Sequence, residues 1–262
     1  NWIRAGSFVS WTPSKYAVSR TDEGRTVVLR GHEHDWSYTL GSDGTAISAE
    51  CGNADGLCGN TNGGSVTIAP PSGELIYDGS AKAAKLTTTG WTAADVGEIV
   101  YQKDGSALSA VPVDAGTYTA SITLGEGNKA ATASVKYTIQ RADPKASDFT
   151  FAAPSPLTYD GNAKTATVEP NTGINGMGAV TVKYFKNGAE TEPKDAGDYT
   201  VKVSVAEGAN YNATTDDLTT DDWKFTIGKA TQTIIVPTDK TIVKDGIAED
   251  ISDWATVAGV TG

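Results

Sequence analysis

Apolar and polar residues alternate along much of this chain. Over 181–185, 199–205 and 224–227, Val, Tyr, Phe or Ile recur at every second position, with Thr, Lys and Ser between them. That period of two belongs to half-buried β-strands. Asp104-Gly105 and Asn187-Gly188 break the pattern as hairpin turns, because both residue types accept the positive φ a tight turn demands. Helical periodicity is confined to one short turn around Trp91 to Val96. Strands of this length with turn signals about every 8–12 residues predict an all-β sandwich. Nearer the start, "WIRAGSFVSW", "RTVVLRG", "WSYTL" and "TAISAEC" also read as strands. In "WSYTLGSDGTAISAEC", Trp36, Tyr38 and Leu40 face Ala49 and Ile47 across a hairpin. A four-residue Gly41 to Gly44 loop sets His34 opposite Cys51, and a two-residue loop shifts it by one pair.

Within this pattern one octapeptide occurs twice, as "LIYDGSAK" (75–82) and "LTYDGNAK" (157–164). The match extends outward. "VTIAPPSGELIYDG" (66–79) answers "FTFAAPSPLTYDG" (149–161), and "VYQKDGSA" (100–107) answers "KYFKNGAE" (183–190). "PVDAGTYTA" (112–120) answers "PKDAGDYTV" (193–201), and "KYTIQRA" (136–142) answers "KFTIGKA" (224–230). A third copy begins at "TIIVPTDKTIVKDG" (233–246), with Lys244 where Tyr stood. The period is that of a whole small domain. Four segments follow: a β module with both His and both Cys at 1–64, repeats at 65–142 and 143–230, and the start of a third at 231–262.

Tyr118 and Tyr199, in "DAGTY" and "DAGDY", stand where immunoglobulin-type sandwiches place a tyrosine that bonds back to upstream backbone. Asp114 and Asp195 open those turns. Ala120 and Val201 occupy the positions of the strand cysteine, so burial alone must join the sheets. A β-grasp repeat is the alternative fold. The recurring Tyr77-Asp78-Gly79 and Tyr159-Asp160-Gly161 come with strands around them and with no partner acid, base or nucleophile. Asp caps local amides, Gly makes the turn and Tyr covers the core edge, which is the chemistry of a fold.

Together the Tyr-Asp-Gly turn, the "P-x-DAG-x-Y" segment and the closing "K-[YF]-T-I" strand resemble the tandem YDG/MBG-type repeats of bacterial cell-surface proteins. The resemblance covers about residues 65 to 230. It implies immunoglobulin-like domains without catalysis, in a secreted or wall-attached, extracellular protein. The implied role is a stalk or spacer with adhesion or protein-interaction modules.

Composition changes this picture at a few points. The formal net charge is −11 over 262 residues, which disfavours nucleic acid, whose phosphates are bound by Lys and Arg. No apolar run reaches the roughly 20 residues of a membrane span. No Gly-x-Ser-x-Gly elbow, phosphate-cradling loop or His-Glu-x-x-His helix is present. The carboxylates of "DDLTTDD" (216–222) read as a solvated acidic loop ahead of a calcium loop. These features predict a monomer with no enzymatic activity and no required cofactor. His32, His34, Cys51 and Cys58 form the only metal-like group. Two nitrogens and two sulfurs suit tetrahedral zinc, while an exported chain favours a Cys51–Cys58 disulfide. From a different class comes a carbohydrate-binding accessory region of a secreted glycosidase, with Trp2, Trp11 or Trp91 stacking on sugar. A host glycan or protein is the expected kind of ligand.

Overall fold

The computed structural model describes residues 16–20, 27–31, 35–52, 62–90, 96–235 and 256–258. Two compact units emerge, Asn1–Gln140 and Arg141–Gly262. The chain is all-β, built from antiparallel sheets stacked as tandem β-sandwiches.

Unit 1 opens with a two-stranded ladder, β1 (Tyr16–Arg20) against β2 (Val27–Gly31). Its first sandwich sheet follows the order β3 (Trp36–Leu40), β4 (Ala46–Cys51), β5 (Asn62–Ala69), β6 (Lys85–Thr89). The facing sheet contains β7 (Val100–Lys103), β8 (Ser106–Ala107), β9 (Gly116–Leu124) and β10 (Ala131–Ile139), in the order β10-β9-β7-β8. Alternation drives this closure. Tyr118, Ala120, Ile122 and Leu124 of β9 turn inward, with Ala131, Ala133, Tyr137 and Ile139 of β10, while the Thr and Ser between them stay outside or at the margin. From the first sheet come Ile47, Ala49, Val66 and Ile68, all 0–1 % exposed. Full burial of one such Ile stabilises by about 1.5–3 kcal/mol.

The boundary expected between Gly64 and Ser65 falls inside β5. β4 pairs with β5 from Ala46–Thr67 to Glu50–Asn62, so the hairpin before that boundary belongs to the sandwich of the first repeat. Local fit explains its docking. A Cβ on Gly63 would lie 2.5 Å from the Trp36 ring, and one on Gly125 would lie 2.6 Å from the Tyr38 ring. Both glycines leave room for an aromatic of the hairpin. Asp35 pairs with Lys129, and the Ser134 N–H donates to Gly44 O at 2.9 Å. The hairpin faces as expected, Tyr38 and Leu40 against Ala49 and Ile47, but its loop is not Gly41 to Gly44. Trp36 lies opposite Cys51, Tyr38 opposite Ala49 and Leu40 opposite Ile47. The cause is that Gly41 pairs with Ala46, its N–H donating to Ala46 O at 2.8 Å, which leaves residues 42–45 as the loop.

Unit 2 repeats the plan with fewer strands. β11 (Phe149–Ala152) pairs with β12 (Thr167–Pro170). Facing them, β13 (Val180–Lys186), β14 (Ala189–Glu190), β15 (Gly197–Val205) and β16 (Lys224–Ile227) take the order β14-β13-β15-β16. Phe149, Val168, Tyr199, Val201, Val203, Trp223, Phe225 and Ile227 form one core. β16 has only four residues, against nine in β10. The segment 206–222 replaces the missing half and still serves the edge of β15. Val201 N–H donates to Trp223 O, and Val203 exchanges both backbone bonds with Leu218. The Val205 N–H finds Thr214 Oγ1. No backbone group along β15 is stranded there, as burial requires. Within the segment expected to start a third copy, β17 (Thr233–Ile235) pairs antiparallel with β18 (Thr256–Ala258).

Candidate functional site

The repeated octapeptides build the same clasp in each unit. In unit 1, Asp78 Oδ1 accepts the Ser80 N–H at 2.9 Å, and Oδ2 accepts Lys82 Nζ at 2.7 Å. Gly79 takes φ 77°, which lets the chain double back beneath the carboxylate. The Lys82 N–H then donates to Pro112 O, and Tyr137 Oη donates to Lys82 O, both at 2.8 Å. In unit 2, Asp160 Oδ1 accepts the Asn162 N–H at 2.9 Å and Oδ2 accepts Lys164 Nζ at 2.6 Å. The Lys164 N–H reaches Pro193 O, and Gly161 has φ 80°. The lysine bond, and next the backbone N–H, hold both carboxyls below their ordinary range. Phe225 stands where Tyr137 stands, so the bond from that phenol exists in unit 1 alone.

Immediately before each Asp, the chain touches the end of its sandwich's last strand. Tyr77 N–H donates to Gln140 O at 2.8 Å, and Gln140 N–H donates to Leu75 O at 2.7 Å. Tyr159 and Gly228 repeat the first bond at 2.8 Å, and Gly228 and Leu157 the second at 2.7 Å. Both are parallel bridges, unlike every ladder of the two sandwiches.

A second clasp surrounds each Asp-Ala-Gly. Tyr118 Oη donates to Asp114 O at 2.7 Å, and Tyr199 Oη to Asp195 O at 2.8 Å. The backbone carbonyl of each Asp is the acceptor. Lys103 Nζ reaches Ala115 O and lies 5.4 Å from the centre of the Tyr118 ring; Lys186 does the same with Ala196 O and Tyr199, at 5.5 Å. Gly116 and Gly197 have φ 149° and 142°, and a Cβ on either would meet the lysine Cε at 2.8 Å. The glycine is needed so that the lysine can cross. Sequence reasoning found the Asp, Gly and Tyr of both motifs and missed these four lysines. The signal was present, since Lys82 and Lys164 close the octapeptide and Lys103 and Lys186 precede the turn in both copies.

Little of this geometry offers reactive chemistry. The Asp and Lys side chains of the first clasp and the Lys of the second are spent on a neighbouring oxygen or amide. In unit 2, a surface groove holds Lys183, Tyr184, Glu190 and Pro193. Lys183 Nζ sits 2.8 Å from Asp217, which raises its pKa and keeps it a cation instead of an amine nucleophile. Among the described residues no three His, Cys, Asp or Glu side chains gather as a metal site, and this includes the acidic stretch 216–222. Cys51 is buried opposite Trp36, so the Gly41 to Gly44 loop that would set it opposite His34 is not formed. His32, His34 and Cys58 lie outside the described residues, as do Trp2, Trp11 and Trp91.

The MBG domain matches the sequence twice in tandem, over residues 65–143 and 150–231. The chain belongs to the MBG domain family. The two matches contain both clasps of each unit. No curated protein and no solved structure matches the chain. No helix among the described residues is long and apolar enough to cross a membrane.

Proposed function

We propose that this pair of MBG domains is a non-catalytic region of a secreted or wall-attached bacterial surface protein. It acts as a stalk or spacer and presents adhesion or protein-interaction modules to a host glycan or protein. One observation carries the reading. The residues that recur between the repeats are consumed in holding each sandwich closed, so what is repeated is a shape and not a reaction. A string of self-contained sandwiches gives reach while each unit keeps its own core. The net charge of −11 gives such a chain a self-repelling surface that favours a soluble monomer.

The test is localisation on intact cells. An antibody raised against 143–230 should label unpermeabilised cells of the source bacterium, and external protease should remove the signal. Labelling that appears only after lysis would overturn the surface assignment. An array of glycans and host surface proteins then probes adhesion; retention of one ligand class by the purified chain supports an adhesive module, and none leaves a plain spacer.

A further inference from the structure

Each sandwich fastens its last strand in a way its antiparallel ladders do not. Ile76 forms a parallel bridge with Gln140 at the end of β10, and Thr158 forms one with Gly228 at the end of β16. Direction matters when a chain is pulled from its ends. Tension entering before Leu75 and leaving after Gln140 drags two parallel segments along their lengths in opposite senses. Both backbone bonds between them are then loaded together, in shear. β9, the antiparallel neighbour of β10, has both its ends in internal loops, so it takes load only through β10.

We propose that the "LIYDGSAK" and "LTYDGNAK" segments are force-bearing clamps, so that the repeated motif sets how much tension each MBG domain withstands. The proposal rests on the spacer reading, since a stalk on a cell surface is the setting in which such tension arises. What lies behind each bridge keeps it from peeling. The Asp78–Lys82 clasp and the Lys82 bond to Pro112 O anchor the chain just past Tyr77. Asp160, Lys164 and Pro193 do so past Tyr159. Unit 1 has a third tie between the same two segments, because Tyr137 Oη of β10 donates to Lys82 O at 2.8 Å. Unit 2 has Phe225 there and keeps two ties. Unit 1 therefore yields at the higher force.

The experiment stretches the whole chain between handles at its two ends, one molecule at a time, and reads the force of each unfolding step. Gln140→Pro deletes one backbone donor at an exposed residue; the force for unit 1 should fall by roughly a third, because one of its three ties is gone. Ile122→Val, a core change on β9 away from the bridge, serves as the control and should lower the melting temperature without lowering the force comparably. If Gln140→Pro lowers the force no more than Ile122→Val, the clamp is refuted and the spacer reading stands. Should neither unit of the unaltered chain resist more than an unfolded polypeptide, both ideas fall.

Thr158→Cys with Gly228→Cys provides a second route that keeps every backbone bond. Thr158 is exposed, and a Cβ at Gly228 would meet only Leu157 O, at 3.6 Å. The disulfide carries tension past residues 159–227, so the unit 2 step should vanish in the oxidised pair, and a reductant should restore it. A unit 2 step that persists unchanged in the oxidised form would show that tension does not cross this bridge, and would overturn the clamp.

Discussion

The two sandwiches share their clasps and differ in almost everything that supports them. Unit 1 widens its first sheet with the β3–β4 hairpin and runs β10 unbroken along β9. In unit 2, β12 is the only strand paired with β11 among the described residues, and half of the last strand gives way to the segment 206–222. Aromatics follow the same division. Trp36 and Tyr38 pack from the added hairpin in unit 1, whereas Trp223 fills unit 2 from within, its ring 6.2 Å from Phe149 and 6.3 Å from Phe151. Two different ways of covering a core are compatible with one set of end ties. The clasps specify where the chain turns back on itself, and the remaining surface needs only adequate burial.

The largest effect that separates the units comes from removing the hairpin. A fragment 65–142 lacks Ile47, Ala49 and the backbone partners of β5, a loss of more than about 3 kcal/mol. A fragment 143–230 keeps its own core. Urea unfolding followed by circular dichroism should place the first midpoint well below the second; equal midpoints would make the hairpin an ornament. Next come the glycines peculiar to each support. In unit 2, a Cβ at Gly208 would lie 2.4 Å from Gly176 O and Gly178 N, so Gly208→Ala should cost about 3 kcal/mol. Gly63→Ala pushes against a side-chain ring instead, and about 2 kcal/mol is expected as Trp36 shifts. Thermal melts that show each loss in the wrong unit would break the comparison.

Changes at the shared clasps should act alike in both. Tyr118→Phe and Tyr199→Phe each strand a backbone acceptor near a buried ring, for about 1–2 kcal/mol. A large inequality between them would mean that the corners are not equivalent. The smallest effect is a pH dependence. Asp78 and Asp160 have carboxyls lowered from an ordinary 3.8. Their clasps therefore contribute fully above that value and are lost as pH falls through the lowered pKa. Asp78→Asn with Asp160→Asn should flatten the fall of melting temperature on the acid side of 3.8. An unchanged acid limb would show that other carboxylates govern it.

Much of this was legible in the sequence because it is local. Alternation over 224–227 is β16 residue for residue, and Asp104 and Asn187 both take φ 51° in the turns their Asp-Gly and Asn-Gly pairs indicate. The tyrosine corners follow from a spacing of four residues. The hairpin's attachment was not legible, since Ile47 and Ala49 present the same alternating pattern whether their sheet stands alone or joins Val66 and Ile68. Its facing pairs were legible and its loop was not: Gly41 permits a tight loop yet extends the ladder to Ala46. The lysines were missed because a Lys reads as solvated until a carbonyl is placed beside it. Lys103 and Lys186 reach Ala115 O and Ala196 O only once the strands are folded.

Those lysines give the native chain two classes of amine. Lys82, Lys103, Lys164 and Lys186 each hold Nζ on an oxygen, while Lys136, Lys224 and Lys229 stand exposed. An acylating reagent meets the second class at once and the first only when a clasp opens. The order in which lysines are modified is therefore a record of local opening, written at four sites and readable by mass spectrometry without unfolding the protein.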